Sequence, residues 1–133
     1  MAEMHPSCVL LADGHTGLSE AVRGLLQTAF DTVVMVADEA SLLEAAHRLQ
    51  PEVAVVDLSL AHNGDLDWLR VVRQRCPEAK VIVISDHDER SVRHAAVEAG
   101  AHAFVLKRAI ATDLLPAVTF VRGVSPDEAP ERP

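Results

Sequence analysis

Aromatic side chains are scarce. Phe30, Trp68, Phe104 and Phe120 are all there are among 133 residues, and tyrosine is missing. A site that stacks rings on bases or on a flavin is hard to assemble from four rings, and the core must be aliphatic. Cysteine is almost as rare. Cys8 and Cys76 stand far apart, with no CxxC or Cys/His ligand spacing, which excludes a disulfide scaffold and leaves two buried or half-buried free thiols. Bases are outnumbered, 12 against 20 acids, for a net charge of −8. Such a chain repels phosphate backbones, so no direct nucleic-acid contact is expected. No apolar stretch approaches the roughly 20 residues that span a bilayer. The segment Met1–Ser7 has no basic stretch followed by an apolar one, so a cytoplasmic protein without membrane contact is expected.

What is present is an ordinary globular balance, 49% hydrophobic and 24% charged, in a length that suits one domain. The expected domain is 1–122. The remaining 123–133, with Gly123, Ser125, Pro126, Pro130 and Pro133, reads as a flexible tail or the start of a linker.

Two periodicities alternate along the chain. Short, apolar, β-branched runs at Cys8–Asp13, Thr32–Val36, Val53–Asp57, Lys80–Ser85 and Ala103–Leu106 have the pattern of parallel strands buried on both faces. Between them, apolar residues recur at helical spacing, as in Leu18, Val22, Leu25, Leu26 and Ala29. Ser41 is the expected cap of a second helix and Asp88 of a fourth, with Gly100 closing the latter. A third helix carries Leu66, Leu69, Val72 and Arg73 and stops at Cys76-Pro77, with Trp68 near its polar boundary as a partly buried packing residue. In the fifth, Pro116 conflicts with an early start, so Asp113 is the expected cap. The order is βα five times, an α/β fold with a doubly wound five-stranded parallel sheet of flavodoxin-like type, strand order 2-1-3-4-5.

In such sheets ligands bind beyond the carboxyl ends of the strands. Those ends carry Asp13, Asp57, Ser85-Asp86 and Lys107. Carboxylates suit a divalent cation, and lysine and serine suit the oxygens of an anion beside it.

Four stretches in register resemble one family. Val9-Leu10-Leu11-Ala12-Asp13-Gly14-His15, Pro51-Glu52-Val53-Ala54-Val55-Val56-Asp57-Leu58, Val81-Ile82-Val83-Ile84-Ser85 and Gly100-Ala101-His102-Ala103-Phe104-Val105-Leu106-Lys107 are similar to the receiver domain of two-component response regulators, LuxR/NarL-type subgroup, over about residues 8 to 122. The resemblance implies that Asp57 accepts a phosphoryl group from a histidine kinase. It implies that Ser85 and Lys107 read the acyl phosphate and that Ser85 and Phe104 form the switch. It also implies Mg2+ held by Asp13, Asp57 and the Ser59 carbonyl. A helix-turn-helix output domain that regulates transcription would follow the receiver. These 133 residues do not contain it, so they are either a piece of a longer protein or a stand-alone receiver. No enzymatic activity of its own is expected, and homodimerisation is open.

The sequence departs from the family at several points. Gly14 stands where a second acid usually ligates the metal, so weakened or absent Mg2+ binding is expected. Asp86 stands where a small residue is usual. It replaces the missing carboxylate, or it repels the incoming phosphoryl group, or it points into solvent. In the following loop, Ala61 and Asp65 replace the usual proline and glycine, and His62-Asn63-Gly64 supplies turn chemistry.

These departures keep a second reading open, an atypical receiver acting by ligand or partner binding without phosphorylation. Two other classes are weighed, the first of which shares the fold. A flavodoxin-like FMN-binding protein has weak support in Gly14-His15-Thr16-Gly17-Leu18-Ser19, and an aspartate-based phosphatase lacks its second Asp, with Ser59 in that place. Arg70 with Arg73 and Arg90 with Arg93 are expected on solvated helix faces, with Arg90 and Arg93 on the family's signalling surface. His15 and His87, flanking the acidic edge, also leave a carboxylate–histidine site for a transition metal open.

Overall fold

The computed structural model describes residues 7–14, 16–60 and 65–123, with the backbone alone for Thr16 and Gly17. Five strands, β1 (Cys8–Ala12), β2 (Thr32–Val36), β3 (Val53–Asp57), β4 (Lys80–Ser85) and β5 (Ala103–Leu106), alternate with five helices, α1 (Thr16–Leu26), α2 (Glu39–Leu49), α3 (Asp67–Arg75), α4 (Arg90–Glu98) and α5 (Ile110–Arg122). All four strand pairings are parallel and the order is β2-β1-β3-β4-β5. The central strands β1, β3 and β4 are buried nearly throughout, while the edge strand β2 is half-buried. Burial on both faces is therefore a property of the middle of the sheet.

The helices divide the core in two. Leu42, Ala45, Ala46, Trp68, Leu69, Val72 and Ala96 pack α2, α3 and α4 against one face. Val22, Leu26, Ile110, Leu114, Val118 and Val121 pack α1 and α5 against the other. Trp68 is 4% exposed, a core residue rather than a boundary one.

The fifth helix does not start late. It runs from Ile110 through Pro116 with Ala109 at its cap, so the expectation of a cap at Asp113 is wrong. A proline inside a helix costs about 3 kcal/mol or more. Burying Ile110 (7% exposed) and Leu114 (0%) in the first turns returns about 1.5–3 kcal/mol for each side chain, so packing wins over the local break. The Thr112 carbonyl that loses its donor belongs to an exposed residue.

Two caps also differ from expectation. Asp38, not Ser41, caps α2: its Oδ1 accepts from the Ser41 N–H at 2.8 Å. That backbone hydrogen bond is the main reason the Asp38 carboxyl lies below its ordinary range. Glu89 precedes α4 without a side-chain cap bond, and Asp88 accepts instead from Arg108 at 2.9 Å. At the other end of α4 the expected glycine is in place. Gly100 has φ +119°, its N–H donates to Val97, and Ala101 N–H donates to Ala96, the two bonds of a Schellman turn.

Candidate functional site

The carboxyl edge of the sheet gathers the polar strand ends. Asp57 ends β3 beside Ile84, and Ser85 ends β4 beside Leu106, one residue before Lys107. Because β3 is central, its last side chain is buried: Asp57 is 0% exposed. A short 3-10 turn, Leu58–Leu60, then folds back so that the Ser59 N–H donates to Asp57 Oδ1 at 2.9 Å. After β5 a second 3-10 turn, Lys107–Ala109, aims Lys107 across the edge, where Nζ donates to Asp57 Oδ2 at 2.6 Å.

The two side chains are 7% and 1% exposed, so this is a buried ion pair. Burial pushes the Asp57 carboxyl up. Hydrogen bonds from Lys107, from the Ser59 backbone and with Asp13 outweigh it, and the carboxyl lies below its ordinary 3.8. Asp57 is thus an anion at neutral pH although it is out of water.

Asp13, buried at 5% exposure, follows β1 and lies within hydrogen-bonding reach of Asp57. Its backbone is fixed by Asp13 N–H to Val36 and by the Ser19 hydroxyl donating to its carbonyl. Ser85 is buried and its Oγ accepts from the His87 N–H at 3.0 Å. Asp86 is different: its side chain is 65% exposed, and Oδ2 lies 3.9 Å from Lys107 Nζ. Gly14 needs no special backbone. Among the described residues, a Cβ there would meet only the Ala37 carbonyl at 3.6 Å, an ordinary contact.

Asp13, Asp57, Ser85, Asp86 and Lys107 are therefore brought to one edge, as the sequence predicts. Phe104 lies on β5, half-buried, with the Arg93 guanidinium stacked over its ring at 4.7 Å. Arg93 is thus engaged rather than simply solvated. Arg70 does sit on a solvated face, bonded to Asp67 at 3.0 Å, but Arg73 turns back and donates to the Gly100 carbonyl at 2.9 Å. Around Phe104 a groove of about 1170 Å³ opens over β5 between α4 and α5, with Arg93, His94, Pro116 and Phe120 on its walls. Asp57 does not line it.

His87 is exposed and faces Glu89 at 3.7 Å. His15, Ala61 and His62-Asn63-Gly64 lie outside the described residues. Among the described residues, no three of His, Cys, Asp and Glu stand close enough together to hold a metal by themselves; a carboxylate–histidine site that uses His15 lies outside them. The oxygens that remain, two buried carboxylates and the Ser59 carbonyl, suit a hard cation that keeps several waters.

Sequence reasoning missed one buried polar group. His102 is 1% exposed; its Nδ1 accepts from the Val81 N–H at 3.0 Å and its N–H donates to the Val81 carbonyl at 2.7 Å. The signal available was a histidine directly before an apolar strand.

This arrangement agrees with comparisons to known proteins. The response regulator receiver domain family matches residues 9–119. The nitrate/nitrite response regulator NarP of Escherichia coli is 31% identical over 120 residues, covering 89% of this chain and 56% of that protein. The transcriptional regulatory protein MctR of Rhizobium johnstonii is 29% identical over 127 residues, covering 92% and 58%. The chain thus spans a little over half the length of these curated relatives. Among solved structures, the receiver domain of the response regulator NarL from Mycobacterium tuberculosis superposes with a TM-score of 0.78 at 26% identity, over 91% of this chain and 100% of that one. With five parallel strands in the order 2-1-3-4-5 and four motifs in register, the chain belongs to the response regulator receiver domain family.

Proposed function

We propose that this chain is a phosphoacceptor module in which Asp57 takes a phosphoryl group from a histidine kinase. The observation that carries this is the buried Asp57–Lys107 pair, 2.6 Å between Nζ and Oδ2. A carboxylate kept ionised in an apolar sheet edge is a nucleophile, and the ammonium against it is a ready counter-ion for the oxygens that arrive. In the transfer, the P–N bond of the donor phosphohistidine breaks and a P–O bond to an Asp57 oxygen forms. The electron pair left on the imidazole nitrogen takes up a proton. Lys107 then turns from Asp57 to a phosphoryl oxygen, and Ser85 exchanges the His87 N–H for another.

Asp13, Asp57 and the Ser59 carbonyl would hold Mg2+, which supplies charge neutralisation for the incoming phosphoryl oxygens. With Gly14 in place of a second acid after β1, weaker Mg2+ binding than in a site with both of those acids follows from ligand charge. Asp86, mostly exposed and 3.9 Å from Lys107 Nζ, is not counted among the ligands.

The readout is a two-state surface. Phe104 on β5, gripped by Arg93, links the site to the α4–β5–α5 groove, and new bonds at Ser85 and Lys107 bias its position. Partners on this surface are a kinase, a second receiver or an output domain; regulation of transcription is what the name of the relative MctR states.

Fluoroberyllate, an analogue of the phosphoryl group, tests the reading. With Mg2+ it should shift backbone NMR signals at Ser85, Phe104 and Lys107 in the wild type and leave Asp57→Asn unchanged. No shift at saturating reagent, or the same shift in Asp57→Asn, contradicts it.

A further inference from the structure

The structure separates two acids that compete for one lysine. Asp57 is sealed in and donor-bonded to Lys107 at 2.6 Å, whereas Asp86 stands at the mouth, 65% exposed and 3.9 Å from the same Nζ. Three chemical roles are open to an acid there: ligand, solvent-facing decoration, or a charge that opposes an incoming anion. A ligand role requires Asp86 to leave Lys107 and join Asp13 and Asp57, yet the described residues hold no such three-acid group. A decorative role is at odds with the ion-pair distance to the buried ammonium.

We propose that Asp86 is a positioning residue that disfavours the anion-loaded form of the Asp57 pocket. The proposal rests on the reading of Asp57 as acceptor and adds the term that sets how readily the pocket fills. Before loading, Lys107 is shared by two carboxylates. Loading adds a negative group on Asp57, which needs Lys107 for itself. Asp86 then both holds back the ammonium and repels the newcomer. A repulsion of roughly 0.7 to 1.4 kcal/mol, the size Coulomb's law gives like charges a few ångströms apart in largely solvated surroundings, shifts such an equilibrium about three- to ten-fold. Because Asp86 is exposed, salt screens the effect, as it does not for the buried pair.

The test is a fluoroberyllate titration with Mg2+, followed by NMR, of wild type, Asp86→Asn, Asp86→Ala, Asp86→Glu and, as control, Asp57→Asn. Asp86→Asn, nearly isosteric, should bind roughly three- to ten-fold more tightly than wild type. Asp86→Ala should match it and Asp86→Glu should stay near wild type. The gain should shrink as ionic strength rises. Equal or weaker binding by Asp86→Asn overturns the proposal, and weaker binding identifies Asp86 as a ligand. A gain confined to Asp86→Ala also overturns it, since that marks bulk rather than charge. In each of these cases a responding wild type leaves the acceptor reading standing. If no chain responds, or Asp57→Asn responds as well, the acceptor reading itself fails and this proposal with it.

Discussion

Two buried polar sites lie at opposite ends of the same sheet. At the carboxyl end, Asp57 and Lys107 face each other as ions. At the amino end, His102 and Val81 exchange two hydrogen bonds across β4 and the start of β5. In the second, the imidazole stands in for a backbone acceptor before β5 has begun. The first is open to change, because an ammonium held by one carboxylate at 2.6 Å and approached by another at 3.9 Å can be taken over by a third anion. A buried hydrogen-bonded pair holds two strand ends in register; a buried charged pair beside an exposed acid stores a choice between partners.

Breaking the charged end should cost most. Lys107→Met leaves Asp57 buried with Asp13 beside it and no cation, and removing one partner of a buried pair costs roughly 3–5 kcal/mol. Urea unfolding should show that loss, and the fluoroberyllate response should vanish with it. Asp57→Asn should lose less, about 1 kcal/mol, since an amide oxygen can still accept from Lys107. If the two variants are equally stable, the ionic account of this edge is wrong.

The amino end should respond in stability alone. His102→Leu strips the Val81 N–H of its acceptor, a loss of about 1–3 kcal/mol, while the fluoroberyllate affinity at the far end stays at the wild-type value. An altered affinity would show that the two sites are coupled, contrary to the contrast drawn here.

The smallest effect is the pH dependence. The folded state holds the Asp57 carboxyl below its ordinary 3.8, whereas the unfolded chain lets it titrate normally. The stabilisation is therefore present above about pH 4 and is lost as pH falls through the lower, folded value. The stability advantage of wild type over Asp57→Asn should hold from neutral pH to about 4 and then shrink. An advantage that grows in acid contradicts the sign.

Much of this was legible in the sequence because strands buried on two faces leave a strong mark. The runs at 32–36, 53–57, 80–85 and 103–106 coincide with β2, β3, β4 and β5, and the polar residue at each central strand end is at the site. The misses share a physical cause. A cap or a proline is a local signal, and its outcome is decided by packing or by a neighbour. Pro116 was outweighed by the burial of Ile110 and Leu114, and Ser41 is the donor in the cap of Asp38. Asp88, Arg73 and Arg93 were misplaced because Arg108, the Gly100 carbonyl and the Phe104 ring are remote in sequence. The exposure of Asp86 could not be read either, since nothing in a run of loop residues says which way an acid leans.

The central claim is that Asp57 is the acceptor. Incubation with phosphoramidate and Mg2+, followed by intact mass and peptide mapping, addresses it directly. The account predicts one hydroxylamine-labile phosphoryl group on the peptide containing Asp57 and none on Asp57→Asn. A chain that stays unmodified, or carries the group elsewhere, would contradict it.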